Sequence, residues 1–327
     1  MRPLATVLCI AIGVAAVAAA SVAVWYERDL ARARNEVERG AGVVDTAAGP
    51  IEYAERGRGY PLLSIHGAGG GYDQGLANAA DLVGDGFRVI APSRFGYLGT
   101  PIPADRSPAA QADAHAALLD ALSVDKAIVV GVSAGTRSAI ELAIRHPDKV
   151  AALILIVPAT YAPEDAPTIA EGRGNAFAFW LANAGADFAW WATERIAPSV
   201  LVRFIGVPPD LVEKSPPAER ARVMAIVRSI LPLSRRFPGI NIDSIPDPAP
   251  PALERIVAPT LAISARDDLF RTAPAAEYAA SRIPNAMLKI YDTGGHLLVN
   301  RGAETKALIQ EFLAANVPPV PDNVAAQ

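Results

Sequence analysis

Apolar and polar positions follow three different patterns along this chain. From Leu4 to Tyr26 no position carries a charge. At about 1.5 Å of rise per residue, a helix over that run reaches across the ~30 Å hydrocarbon core of a bilayer. Trp25 and Tyr26 stand at its end, where interfacial aromatic residues belong. Glu27–Gly40 then mixes acidic and basic residues. It predicts a charged juxtamembrane helix serving as a spacer, ended by Gly40 and Gly42. From Val43 onward, short β-like runs alternate with helical patterns, as in a mostly parallel sheet covered on both faces. The predicted strands are Ile51–Glu55, Leu62–Ile65, Phe87–Ala91, Ala127–Val130, Ala152–Val157, Thr260–Ser264 and Met287–Tyr291. The predicted helices are one from the Ser107-Pro108 start to about Leu122, then Ser133–His146, Pro274–Ile283 and Arg301–Ala315.

The third pattern lies between Pro158 and Pro259, where no strand signal occurs. Helical, aromatic-rich sequence fills this stretch: Phe177, Phe179, Trp180, Phe188, Trp190 and Trp191. About a hundred residues is too long for a loop. A helical insertion packed on the carboxyl edge of the sheet is expected, with Phe177, Trp180 and Trp190 able either to fill its core or to line a pocket.

Two readings of the N-terminal run stand beside each other. One is a retained anchor, a single span. The other is a signal peptide cut after Ala18-Ala19-Ala20, which would leave the protein secreted or periplasmic. The apolar run continues past that cut to full membrane length, which favours the anchor over both the signal peptide and a buried core helix. Arg28, Arg32, Arg34 and Arg39 follow the run and Arg2 alone precedes it. That count favours a cytoplasmic body, although a short N-terminal tail can also stay inside.

Composition narrows the chemistry. The chain of 327 residues has 30 Lys plus Arg against 34 Asp plus Glu, a net charge of −4. A nucleic-acid partner would call for a basic excess. Cys9 is the single cysteine and lies in the apolar run. Disulfide frameworks and thiolate metal sites are thereby excluded. A small-molecule substrate and the membrane are the expected partners.

Gly131-Val132-Ser133-Ala134-Gly135 directly follows a strand and opens a helix, the setting of a nucleophile elbow. A serine nucleophile needs a base, and the base an orienting carboxylate. Of four histidines, His296 follows the last strand in Thr293-Gly294-Gly295-His296. Asp267 and Asp268 lie in the turn after Thr260–Ser264. The order Ser, Asp, His results. His115 reads as a solvated helix residue and His146 as an exposed helix end. The run Gly69-Gly70-Gly71 lacks the residues of a phosphate-binding loop.

With these motifs, Ile65-His66-Gly67-Ala68-Gly69, Arg88–Tyr97 and Arg145–Val150 complete a resemblance to the α/β-hydrolase fold superfamily. The nearest branches are the lidded esterases and carbon–carbon-bond hydrolases. The likeness runs from about Val43 to Ala315. It implies a mostly parallel α/β-hydrolase sheet with helices on both faces and a helical cap. The expected boundaries are 1–26 for the anchor or signal peptide, 27–42 for the spacer, and 43–158 and 253–316 for the core. The cap would span 159–252, and 317–327 would be a Pro-rich tail. The resemblance also implies Ser133 as nucleophile, His296 as base and Asp268 as the acid, with Asp267 the fallback. The backbone N–H groups of Ala68 and Ala134 would form the oxyanion hole, and His66 would brace that loop. No metal or organic cofactor is implied. Relatives often carry Asp where this chain has Ser93, a position read as structural.

Three activities remain open: ester cleavage in a small apolar acyl substrate, carbon–carbon cleavage or perhydrolysis on the same triad, and non-catalytic binding.

Overall fold

The computed structural model describes residues 2–163, 186–245 and 249–317. Its centre is an eight-stranded sheet in the order β1-β2-β4-β3-β5-β6-β7-β8. The strands are β1 (Gly42–Thr46), β2 (Gly49–Arg56), β3 (Tyr60–Ile65), β4 (Phe87–Pro92), β5 (Ala127–Val132), β6 (Val150–Ile156), β7 (Thr260–Ala265) and β8 (Met287–Tyr291). The β1–β2 and β2–β4 pairs are antiparallel, and every later pair is parallel. The central strands β5, β6 and β7 are buried almost throughout. Their continuous apolar runs reflect helices on both faces.

On those faces lie α2 (Tyr72–Leu82), α3 (Pro108–Ala121) and α4 (Gly135–Arg145), with two further helices near the C-terminus. As the sequence predicts, Ser107 caps α3, its Oγ accepting from the Ala110 amide at 3.1 Å with Pro108 in the first turn. The cap interrupts the sheet between β6 and β7. Its described helices are α5 (Ala186–Ile196), α6 (Pro198–Phe204), α7 (Pro209–Glu213), α8 (Pro217–Ser229) and α9 (Phe237–Asp243). After it come α10 (Ala273–Arg282) and α11 (Gly302–Asn316).

The N-terminal segment is a single helix, α1 (Arg2–Arg39). Its apolar stretch has a mean hydropathy of 2.7 and no residue buried in the protein, and it is long and apolar enough to cross a membrane. The charged part of this helix, expected as a juxtamembrane spacer, packs on the body. Leu30 and Val37 are buried, and Tyr72 donates its hydroxyl to the Val37 carbonyl at 3.0 Å.

Two bidentate ion pairs fasten cap to core. Arg94 holds Asp243 at 2.7 and 2.6 Å, and Arg236 holds Asp73 at 3.0 and 2.7 Å. Burial works against the Arg94 charge, but the adjacent Asp243 carboxylate overrides it and raises the pKa above the usual value. Such pairs position elements more than they stabilise them, because desolvation offsets most of the Coulomb gain.

His115 is a correction to the sequence reading. It is buried, with Nε2 at 3.2 Å from Ser138 Oγ, and burial lowers its pKa to about 3. Helix α3 is alanine-rich on every face, so no polar stripe marks which side is buried. His146 does sit at a helix end, where it contacts Asp113 at 2.7 Å.

Candidate active site

The turn after β5 is held by hydrogen bonds within itself and to β6. The Ser133 amide donates to the Ile156 carbonyl at 2.9 Å, and the Ser133 carbonyl accepts from the Thr136 amide at 3.0 Å and its hydroxyl at 2.6 Å. This arrangement forces Ser133 to φ +52°, a left-handed conformation that costs an L-residue about 1–2 kcal/mol. Gly135 permits a tight approach just beyond the turn: a Cβ there would lie 2.4 Å from the His66 carbonyl oxygen. The start of α4 therefore rests against the end of β3, from which the glycine loop leaves.

Ser133 Oγ lies 2.8 Å from His296 Nε2, and His296 Nδ1 lies 2.8 Å from Asp268 Oδ2. An ionised carboxylate only accepts, so the imidazole proton sits on Nδ1 and Nε2 is left to accept from the serine hydroxyl. All three side chains are largely buried. Asp268 is itself held in place. Its Oδ1 accepts from the Phe270 amide at 2.8 Å, and the Thr272 hydroxyl donates to Oδ2. Ser264 hydrogen-bonds that threonine at 2.8 Å. Asp267 faces the other way and accepts from the amides of Gly294 and Gly295, at 2.8 and 2.7 Å.

Among the described residues, neither the Ala68 nor the Ala134 amide donates to a protein acceptor. The loop carrying Ala68 is braced by His66. Its Nδ1 donates to the Gly67 carbonyl at 2.7 Å, and its Nε2 accepts from the Arg94 amide at 3.0 Å. Burial and then the Arg94 charge hold the His66 pKa well below the usual 6.5. A neutral ring is what this pairing requires, since Nε2 must accept.

Ser93 is paired with a carboxylate from a neighbouring strand. Ser93 Oγ donates to Glu52 Oε2 at 2.5 Å and accepts from the Tyr72 amide at 3.1 Å. Burial raises the Glu52 pKa, and the Ser93 bond partly offsets this.

The cap reaches the site through residues that sequence patterns did not mark. Gly206, at φ +84°, accepts from the His296 amide at 3.1 Å, and a Cβ there would sit 2.7 Å from the His296 Cβ. Phe270 packs edge-on to the His296 ring with centres 4.7 Å apart. Ile230 approaches Gly69. Trp190 takes the first of its two expected roles. It fills the cap's own core with Leu201, Val227 and Leu233, and its indole N–H donates to the Val227 carbonyl at 2.9 Å. Phe177 and Trp180 lie outside the described residues.

Residues 60–300 match the alpha/beta hydrolase fold family. The chain belongs to that family. It is 29% identical over 268 residues to 2-hydroxymuconate semialdehyde hydrolase of Pseudomonas putida, covering 80% of this chain and 89% of the relative. It is likewise 29% identical over 244 residues to the pimeloyl-[acyl-carrier protein] methyl ester esterase of Aromatoleum aromaticum, covering 72% and 90%. Among solved structures, an alpha/beta hydrolase fold protein from Nakamurella multipartita superposes with a TM-score of 0.66 at 28% identity, over 84% of this chain and 99% of that one.

Proposed function

We propose that this protein is a serine hydrolase that cleaves an ester bond in a small, largely apolar substrate through an acyl-enzyme. One observation carries this reading: the continuous chain of 2.8 Å contacts from Ser133 through His296 to Asp268. His296 Nε2 takes the proton from Ser133 as its oxygen attacks the carbonyl, then returns it to the leaving alkoxide. Asp268 fixes the imidazole tautomer and stabilises the imidazolium that forms. The Ala68 and Ala134 amides, which have no protein acceptor among the described residues, hold the oxyanion in this reading, and two preorganised donors are worth several kcal/mol. Water repeats the sequence to release the acid.

An uncharged substrate is favoured by the surroundings. The two arginines that tie cap to core, Arg94 and Arg236, are each occupied by a carboxylate. Val207 beside Gly295, Ile230 beside Gly69 and Phe270 against the His296 ring are apolar.

Carbon–carbon hydrolysis on the same triad is the second reading, favoured by the similarity to the Pseudomonas putida relative across most of its length. A panel of p-nitrophenyl esters and vinylogous diketones separates the two. Ester turnover that is lost in Ser133→Ala supports the first, and turnover of the diketones alone supports the second.

The N-terminal helix is proposed to anchor the enzyme as a single membrane span. Its apolar stretch is exposed, and Trp25 and Tyr26 close it. Retention of the full-length chain in the membrane fraction after alkaline extraction tests this.

A further inference from the structure

Helix α1 and cap helix α5 are joined by contacts that run in opposite senses along the two. Arg34 reaches Asp187 near the start of α5, at 3.8 Å. Asp29 accepts from the Trp191 indole at 3.0 Å and from Arg195 at 2.7 Å, further along α5. Trp25 packs edge-on to Trp191 with ring centres 5.5 Å apart, and the Arg195 guanidinium lies 5.0 Å from the Trp25 ring centre. Tyr26 adds edge contacts to Phe188 and Trp191 at 5.2 and 5.6 Å. Aromatic pairs of this kind contribute about 0.5–1.5 kcal/mol each beyond the area they bury. Several of them, with a partly buried ion pair, make a firm joint. The C-terminal end of α5 therefore lies beside Trp25, where the apolar stretch of α1 ends.

The surface at that end of α5 is exposed and apolar. Ile196 is 82% exposed, Val200 55% and Phe204 41%. Val200 and Phe204 are four residues apart on α6 and share a face. Arg203 is exposed beside them. Single apolar side chains at a protein surface are ordinary. Three spaced four residues apart, next to an interfacial tryptophan and beside Arg203, which can extend to headgroups, match a surface that lies in a membrane interface.

We propose that the α5–α6 edge of the cap, formed by Ile196, Val200 and Phe204, is a bilayer-contact surface. It rests in the headgroup and upper acyl region of the same membrane that α1 spans, and so depends on the reading of α1 as a retained anchor. Helix α6 ends two residues before Gly206, whose carbonyl accepts from the His296 amide. The lipid-facing edge thus runs along one short helix to within two residues of the loop over the base.

Depth measurements on the full-length chain test the proposal. In a Cys9→Ser background, Ile196→Cys and Val200→Cys are labelled with an environment-sensitive fluorophore. The protein is then reconstituted into vesicles of phosphatidylcholine and phosphatidylglycerol. Val14→Cys, within the apolar stretch, reports the span. Val257→Cys, 77% exposed just before β7, reports the body. The expected result is blue-shifted emission and quenching by headgroup-level nitroxide lipids at 196 and 200, deep quenching at 14, and neither effect at 257. Quenching at 14 with 196 and 200 as unquenched as 257 overturns the proposal and leaves the anchor standing. Equal quenching at 196, 200 and 257 overturns it as non-specific adhesion. An unquenched probe at 14 removes the anchor, and the contact surface with it.

Discussion

Asp267 and Asp268 are chain neighbours whose carboxylates serve different parts of one histidine loop. Asp268 reaches the imidazole, with Oδ2 at 2.8 Å from His296 Nδ1. Asp267 instead gathers the backbone amides of Gly294 and Gly295 on a single oxygen, at 2.8 and 2.7 Å. A turn of two adjacent acids can therefore both orient a base and hold the loop that carries it.

This division separates two substitutions. Asp268→Asn leaves the shape of the site intact but favours the wrong imidazole tautomer, and kcat is expected to fall on the order of 10⁴-fold. Asp267→Ala removes an acceptor from two loop amides. Urea unfolding should show a loss of about 1–3 kcal/mol, with a smaller fall in kcat. Esterase kinetics and unfolding curves on both variants check the assignment.

Gly206→Ala places a methyl group where the His296 Cβ and the Phe270 ring already stand, at a backbone conformation unfavourable to alanine. The left-handed backbone alone costs about 1–2 kcal/mol. Displacement of His296 away from Ser133 is expected to lower kcat at least tenfold. Steady-state kinetics at saturating ester reads this directly.

Asp243→Ala leaves the buried Arg94 guanidinium without its carboxylate and Tyr97 without the acceptor of its hydroxyl. Removing one partner of a buried pair costs about 3–5 kcal/mol. Denaturant midpoints should fall accordingly. Changing Asp210 of the exposed Lys214–Asp210 pair to Ala should leave the midpoint nearly unchanged.

His115 and His66 both have pKa values depressed by burial, His115 to about 3. The unfolded chain takes up these protons near pH 6.5, and the native state resists them. Their contribution is complete above pH 6.5 and is lost as the pH falls toward the folded value. The slope is about 1.4 kcal/mol per pH unit for each histidine. Glu52, with a raised pKa, contributes the opposite slope above its unfolded value. Comparing the pH dependence of unfolding in the wild type with that in His115→Gln isolates one histidine. The variant should lose less stability per pH unit between pH 6 and 4.

Much of the core was legible because its signals are local. The apolar runs of β5 to β7 are continuous because both faces are covered, and Ser107-Pro108 marks a helix start by chemistry that needs no tertiary context. The strand–Gly–Val–Ser–Ala–Gly–helix order likewise pointed to the elbow that the positive φ of Ser133 now describes. Strand β1 carries no clear sequence signal because an edge strand of five residues, Gly42–Thr46, has too little buried surface to enforce alternation. Gly206 and Ile230 were invisible for a different reason. Their relation to His296 and Gly69 depends on how the cap folds back over the sheet, and no spacing encodes that. Trp190 shows the same limit from the other side, since an aromatic stripe looks alike whether it fills a core or lines a pocket.

The most direct measurement of the central claim is active-site labelling of the purified, full-length chain with a fluorophosphonate, followed by peptide mapping. A single adduct on Ser133 is expected, absent in Ser133→Ala and strongly slowed in His296→Ala. An adduct elsewhere, or equal labelling of wild type and Ser133→Ala, would contradict a nucleophilic serine at the β5 elbow.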